Sequence, residues 1–455
     1  MPDATPGRAT AREAIALLTG AAGFTEHRPP PSPLPPDGPL GWAGYDAARE
    51  RASARTGEEE SVVYGTGLVG DRACVLLSFE FGFLGGSLGR QSGDRLAAAY
   101  ELALTRRLPL VALVATGGSR MQEGMIALTQ LQRVAAASVR LRAAGLPQIA
   151  VVRDPTTGGG WATVGAGADV VLALPGAQVG FVGSRVRPPD ADPYAYSAEG
   201  QFAAGQVDAV VPADELTAAV THWLRTLGPH EDLPAAPVPR ALPVADSGPA
   251  APLPGTGREA VARARDPRRP RAEAYLADYF AVRLPLHGDR SGSTDPGLLC
   301  GFGLRGDGQP VAYVAQCGTP TRPAGYRAAA RTIRLADRLG VPVLTLVDTP
   351  GAANDAEAER AGAGAAIADT FAAVAAARVP VTTLVIGEGG SGGALALAAP
   401  DNTHVTVTSY FSVIAPELAA AILKRQPSET GATADQLRLR PQDLVDLGFA
   451  RSIVG

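Results

Sequence analysis

A chain of 455 residues, 46% hydrophobic and with a formal net charge of −4, has material for two ordinary domain cores and no concentrated basic surface, which excludes a nucleic-acid binder. Cys74, Cys300 and Cys317 are scattered and odd in number, so they form neither a disulfide framework nor a C-x-x-C metal knuckle, and they fit a reducing cytoplasm. Almost all 41 basic residues are arginine, Lys424 being the only lysine, and the 5 histidines leave little room for Schiff-base, P-loop or His-based chemistry. The N-terminus carries no long apolar core before a cleavage-like site, and no run of about 20 apolar residues follows, so no membrane span is expected.

Taken in chain order, the proline-rich stretch at 28–38 reads as an extended linker. The apolar run LPLVALVA at 108–115 reads as a buried strand, followed by a glycine turn and a helix beginning at Met125. Within that region Met121 and Met125, at helical spacing, read as core filling. LPQIAVV then leads into the glycine loop Gly158 to Gly160. A second proline-rich stretch, 228–256, divides the chain, and beyond it the same grammar returns. VPVLTLVDTPGA from Val341 precedes a helical stretch, and VPVTTLVIGEGGSGG from Val379 ends in glycines. Pro109 to Pro147 and Pro342 to Pro380 have the same spacing, so the chain reads as an internal duplication at about 233 residues. Alternating strands and helices give an α/β class with two similar domains.

GEGGSGGALALAA from Gly387 follows a strand and opens a helix, which converges backbone N–H groups on a developing oxyanion. A tight turn needing positive φ is the plainer reading of one such loop; two at equivalent positions favour a site. Gly387, Gly389 and Gly392 fit a dinucleotide fingerprint, but no acidic residue stands about 20 positions on. Gly389, Ser391 and Gly393 fit a nucleophile elbow, as do Gly85, Ser87 and Gly89, yet only Asp401 and His404 follow Ser391 as triad candidates. DTPG at 348–351 has no P-loop upstream. Two glycine-amide sites with few acid–base side chains suit chemistry whose barrier is charge developing on oxygen, such as enolate formation.

From GYDAARERASARTGEEE through FEFGFLGGSLGRQSGDR, TGGSRMQEG and DPTTGGGWATVGAGADVV, the first half resembles the β subunit of bacterial acetyl-CoA carboxylase carboxyltransferase. From GREAVARARDPRRPRAEAYLADYF through TPTRPAGYRAAARTIRLADRLGVPVLTLVDTPGA, GEGGSGGALALAAPD and SYFSVIAPELAAAILKR, the second resembles its α subunit. The resemblance implies two crotonase-like ββα-superhelix domains in tandem: an N-terminal extension at 1–36, a β-type domain at 37–227, the linker at 228–256 and an α-type domain at 257–455. It implies transfer of a carboxyl group from carboxybiotin to acetyl-CoA, giving malonyl-CoA, with the active site between β-type and α-type halves of different protomers of a homodimer. Gly158 and Gly159 would hold the thioester oxygen, and Gly392, Gly393 and Ala394 the ureido oxygen of biotin. Gly85, Gly86, Ser87, Gly117, Gly118 and Arg120 would shape the coenzyme A side, with Gly160, Gly389 and Gly390 completing the two loops. Biotin would arrive on a separate biotin carboxyl carrier protein, charged by a biotin carboxylase subunit, since Lys424 does not stand in a biotinylation motif.

The chain departs from the family in three places. No cysteine precedes Cys74, so the four-cysteine zinc ribbon of many β subunits has no counterpart and no metal is expected. Trp161 stands where the family carries a smaller residue, and its bulk is expected to shrink or obstruct the acyl pocket. Ala353 and AGAGA at 361–365 replace a tyrosine and a polar segment. These departures leave room for a modified acyl acceptor, a biotin-independent malonyl-thioester decarboxylase or a non-catalytic scaffold subunit.

Overall fold

The computed structural model describes residues 8–20, 23–244 and 252–455. The first seven residues of the N-terminal extension and residues 245–251 of the proline-rich stretch lie outside the described residues. The chain divides into two compact units, one through Pro229 and one from His230.

In the first unit, β1 (Phe24–His27), β2 (Val62–Val69) and β3 (Arg72–Phe79) are antiparallel neighbours. They continue into parallel β4 (Leu110–Thr116), β5 (Gln148–Thr157), β6 (Val170–Ala173) and β8 (Ala209–Val210), while β7 (Val179–Gly180) pairs with the end of β5. Every residue of β4 is buried, as expected of a parallel strand covered on both faces, whose sequence is a continuous apolar run rather than an alternating one. The helix Arg90–Arg106 packs on β2 and β3 and against the helix Gly124–Ala143. Leu77, Phe79, Leu96, Tyr100, Val134 and Leu141 meet in the core between them, each apolar side chain stabilising the fold by about 1.5–3 kcal/mol.

In the second unit the pattern repeats with β9 (Val282–Pro285), β10 (Leu298–Leu304), β11 (Pro310–Gln316), β12 (Val343–Thr349), β13 (Val381–Gly390), β14 (Thr403–Thr406) and β16 (Ser452–Val454). Here β15 (Tyr410–Ser412) pairs with the end of β13, as β7 does with β5. Leu110 pairs with Gln148 and Val343 with Val381; 343 minus 110 and 381 minus 148 both give 233. The two registers also break at matching places, Val114/Thr116 and Val347/Thr349. The duplication read from the sequence is thus present strand by strand. The helix Pro323–Leu339 starts with Pro at its first turn and stops at Gly340, whose φ of 72° breaks the helix. Its Ala-rich buried face lets it lie close on β10 and β11.

Both flanking segments are more structured than the sequence reading gave them. Residues Ala11–Thr19 form a helix closed by a capping box of Thr10 and Glu13, its first N–H bonded to Glu80 at 2.8 Å, and β1 forms the edge of the sheet. Residues 230–244 have no helix or strand but are docked on the second unit. Ala236 is buried there and its carbonyl accepts from Thr382 Oγ1 at 2.8 Å, while the Pro237 carbonyl accepts from Tyr279 at 2.8 Å.

Candidate active site

The two glycine loops stand at equivalent points, the carboxyl ends of β5 and β13, where parallel α/β sheets bind their ligands. After β5, Thr157 is the N-cap of a short helix at Gly158–Gly160; after β13, Gly390 caps Ser391–Leu395. The displacement of 233 residues places Gly158 on Ser391, Gly159 on Gly392 and Gly160 on Gly393. The first pair shares a left-handed backbone, φ 64° at Gly158 and 56° at Ser391. That conformation suits glycine, and serine holds it only where the surroundings enforce it.

The first three N–H groups of a helix have no intrahelical acceptor. In the first turn Gly158 N–H donates to the Phe181 carbonyl at 3.1 Å, and Gly159 and Gly160 follow it in the helix Gly158–Gly160. In the second, Gly392 and Gly393 lie in the first turn of Ser391–Leu395, where N–H groups have no intrahelical acceptor, and Ala394 follows them. A Cβ built on Gly392 meets nothing within 4 Å, so open space lies before that turn.

Other expected contact residues turn inward. A Cβ on Gly389 would stand 2.1 Å from the Phe411 ring, and one on Gly390 2.0 Å from the Pro350 carbonyl oxygen. Both positions are packed too closely for any side chain. Gly86 likewise abuts the Ala115 carbonyl, whereas Gly85 has free space and Gly117 is exposed. Gly117 N–H donates to the Gly85 carbonyl at 2.8 Å, and Leu88 N–H to the Gly118 carbonyl at 2.8 Å, lacing these two loops together. A Cβ on Gly158 would stand 2.9 Å from Gly118 Cα, so all three loops converge.

Arg120, expected on the coenzyme A side, is 1% exposed and turned into the protein. Its guanidinium donates to Glu60 Oε1 at 2.5 Å and Oε2 at 2.9 Å, to the Tyr45 hydroxyl at 3.1 Å, and to the Ser87 carbonyl at 2.7 Å and Oγ at 3.2 Å. Tyr45 in turn donates to Glu123 at 2.5 Å. Burial works to raise the Glu60 carboxyl, but the Arg120 charge and hydrogen bonds outweigh it and hold the group below its ordinary value. Arg120 thus braces the Gly85–Ser87 loop from within. Its partner Glu60 lies in a run of glutamates that reads as a solvated face, so sequence gave no sign of the pairing.

A matching brace supports the second turn. Asp348, fully buried, accepts from Arg269 at 2.6 Å, Arg271 at 3.0 Å and the Glu388 N–H at 3.1 Å. The Gly393 carbonyl accepts from the Tyr326 hydroxyl at 3.0 Å and Gln316 Nε2 at 3.3 Å. Of these five side chains only Asp348 stood in a motif weighed from the sequence, DTPG at 348–351, and there it was given no such role.

The alternative nucleophiles find no partners. Ser391 has elbow-like φ, but His404 sits beside Leu384 in the sheet, seven residues back along β13, or roughly 20 Å. His404 is bonded to Ser452 and Asn402. Burial pushes the Cys74 and Cys300 thiols up to about 12. Met121 and Met125, expected in the core, are 75% and 67% exposed. Trp161, expected to crowd a pocket, is 7% exposed and packs into the first unit's core against Gly165.

With this geometry in place, comparison with known proteins is specific. A carboxyl transferase domain model matches residues 38–222, and an acetyl co-enzyme A carboxylase carboxyltransferase-like model residues 256–455. The chain is 39% identical over 454 residues to the acetyl-coenzyme A carboxylase carboxyl transferase subunits beta/alpha of Saccharopolyspora erythraea, covering 95% of this chain and 75% of that one. It is 34% identical to a probable biotin-dependent acyl-coenzyme A carboxylase beta3 subunit of Mycobacterium tuberculosis, covering 90% and 82%. Transcarboxylase 12S, solved as a hexamer with methylmalonyl-coenzyme A, shares the fold with a TM-score of 0.80 at 22% identity, covering 98% of this chain and 86% of that one. A single-chain long-chain acyl-CoA carboxylase does so at 0.75 and 22%, covering 98% and 45%. The fold is thus the expected tandem crotonase-like one. The chain belongs to the biotin-dependent acyl-CoA carboxyltransferase family, in the group whose bacterial acetyl-CoA carboxylase β and α portions are fused in one polypeptide.

Proposed function

We propose that this chain moves the carboxyl group of carboxybiotin, borne on a separate carrier protein, to acetyl-CoA to give malonyl-CoA. The observation that carries this is the pair of equivalent glycine turns, each setting two glycine N–H groups in the first turn of a short helix. Gly159 and Gly160 are assigned to the thioester oxygen, on which negative charge builds as the α-proton leaves. Each such donor in a dry site lowers the barrier by about 3 kcal/mol. Gly392 and Gly393 are assigned to the ureido oxygen. The open space before Gly392 and the absence of any side chain on either residue fit a flat ring carrying an oxyanion. The carboxylated ring supplies the one-carbon group and, once relieved of it, a base. The chain's own part is to hold both oxygens, orient them and brace the turns from behind through Arg120 and Asp348.

A biotin carboxylase partner and carrier belong to this proposal, because Lys424 does not stand in a biotinylation motif and follows the short helix Pro416–Ile422 in a left-handed conformation, φ 57°. So does a cytoplasmic homodimer. Among the described residues no helix is long and apolar enough to cross a membrane, and the three cysteines are unpaired. The relatives named for other acyl groups make the acceptor the point to test. Purified protein is given malonyl-CoA or methylmalonyl-CoA, with and without biocytin, and release of the decarboxylated thioester is followed. Biocytin-dependent turnover of malonyl-CoA above methylmalonyl-CoA is expected. Turnover that ignores biocytin would establish the decarboxylase instead, and no turnover of either would leave the scaffold role.

A further inference from the structure

The Gly393 carbonyl is in an unusual position. In a continuing helix it would accept from Leu397, but Leu397 N–H donates to Ala394 at 3.2 Å, and the helix ends at Leu395. Two side chains take the place of that bond. The Tyr326 hydroxyl, from the first turn of the helix Pro323–Leu339, and Gln316 Nε2, from the last residue of β11, both donate to the same oxygen, at 3.0 and 3.3 Å. Tyr326 is 1% exposed and Gln316 fully buried. Gln316 Nε2 also reaches Thr321 Oγ1 at 3.1 Å, while the Thr321 backbone bonds Gly351 at 3.1 Å and Ala353 at 2.9 Å. A Cβ on Gly393 would stand 2.4 Å from Ala352 N and 2.7 Å from the Tyr326 hydroxyl. Gly393 is therefore held on one side by the loop after β12 and on the other by two aimed donors.

We infer that Tyr326 and Gln316 form a positioning clamp for the second glycine turn, fixing the Gly393–Ala394 peptide and with it the backbone of Gly393, so that the adjoining Gly392 and Gly393 N–H groups stay aimed at the ureido group. Tyr326 and Gln316 do not touch that group; they act through the carbonyl. A fixed donor needs no reorientation as charge develops, which is where preorganised sites gain their advantage. Burial holds the Tyr326 phenol above its ordinary value, so it remains a donor at neutral pH.

The clamp's role in turnover rests on the assignment of this turn to biotin, so its test has a second readout independent of that assignment. Tyr326→Phe and Gln316→Leu are compared with wild type in the malonyl-CoA and biocytin assay. Hydrogen exchange is measured on the peptides around Gly387–Leu397 and around Thr156–Gly165. The clamp predicts a loss of about tenfold or more in kcat/KM for biocytin, with KM for malonyl-CoA within about twofold. It also predicts faster exchange in the second-unit peptide alone. Unchanged exchange there overturns the clamp, as does a variant that loses both substrates equally. If wild type shows no biocytin dependence, the biotin assignment fails, and the exchange data still decide whether the clamp exists.

Discussion

A methyl group at Gly392 meets nothing within 4 Å and the residue has no positive φ, whereas one at Gly393 would press on Ala352 N at 2.4 Å. The two alanine substitutions should therefore separate function from folding. Gly392→Ala puts a methyl in the space before the amides, so Tm should hold within about 2 °C while biocytin-dependent turnover falls at least about tenfold. Gly393→Ala forces backbone apart and should cost about 1–3 kcal/mol of stability as well. Thermal melting beside the turnover assay distinguishes them, and equal behaviour of the pair would refute the placement of the turn. Trp161 gives the opposite case. Its large side chain lies in the core, so Trp161→Ala should open a cavity costing about 3–5 kcal/mol and give no gain in activity. A stable and faster variant would mean that the indole does stand in the acyl pocket.

Between elements, the decisive contacts join a loop to a distant segment. Arg120 follows β4 and Glu60 precedes β2, and both are dry. Arg120→Met leaves the Glu60 and Glu123 carboxylates buried without their cation, a loss of about 3–5 kcal/mol, or about 10 °C in Tm for a unit of this size. In wild type the Glu60 value is lowered on folding, so its stabilisation is present above the ordinary value of 4.5 and is lost as pH falls through the folded value. In the variant, protonation relieves an unpaired charge instead. The Tm gap between the two should narrow as pH is lowered from 7 towards 4, read by melting at each pH; a constant gap would show that the pair contributes packing and no charge effect. This pairing also shows what sequence conceals. The strands were legible because parallel strands buried on both faces are continuous apolar runs, as at Leu110–Thr116 and Val343–Thr349. The turns were legible because a glycine cluster follows each strand, although Ser391 holds in the second the left-handed position that Gly158 holds in the first. Which glycine is packed in and which has room before it, Gly389 against Gly392, depends on Phe411 arriving from another strand. Arg120 looked like a ligand contact for the same reason, since its partner lies 60 residues away in sequence. The helix Ala11–Thr19 was missed because it is short and borrows its stability from Glu80 and Glu58.

At the scale of the whole molecule, several large apolar side chains remain uncovered. On the first unit Met121 and Met125 are 75% and 67% exposed; on the second Leu418, Ile422 and Leu423 are 57%, 70% and 57% exposed. Isolated exposed apolar residues are ordinary, but these cluster at the start of one helix and along another, which is the mark of a protein–protein surface. Leu418 and Ile422 are one helical turn apart, so they share a face. The homodimer proposed above gives that face an occupant, and it makes a quantitative demand. Sedimentation should give at least twice the chain mass of 46.4 kDa, and Tm should rise with protein concentration, because dimer formation stabilises the folded state by mass action. Leu418→Glu with Ile422→Glu places two charges on the exposed face without disturbing the core, so the dissociation constant should rise at least about tenfold. The far-ultraviolet circular dichroism spectrum should stay that of wild type. A wild-type chain that sediments as a monomer at all concentrations would remove the homodimer and leave the face to a partner protein. A dimer unaffected by the double substitution would place the interface elsewhere on the chain.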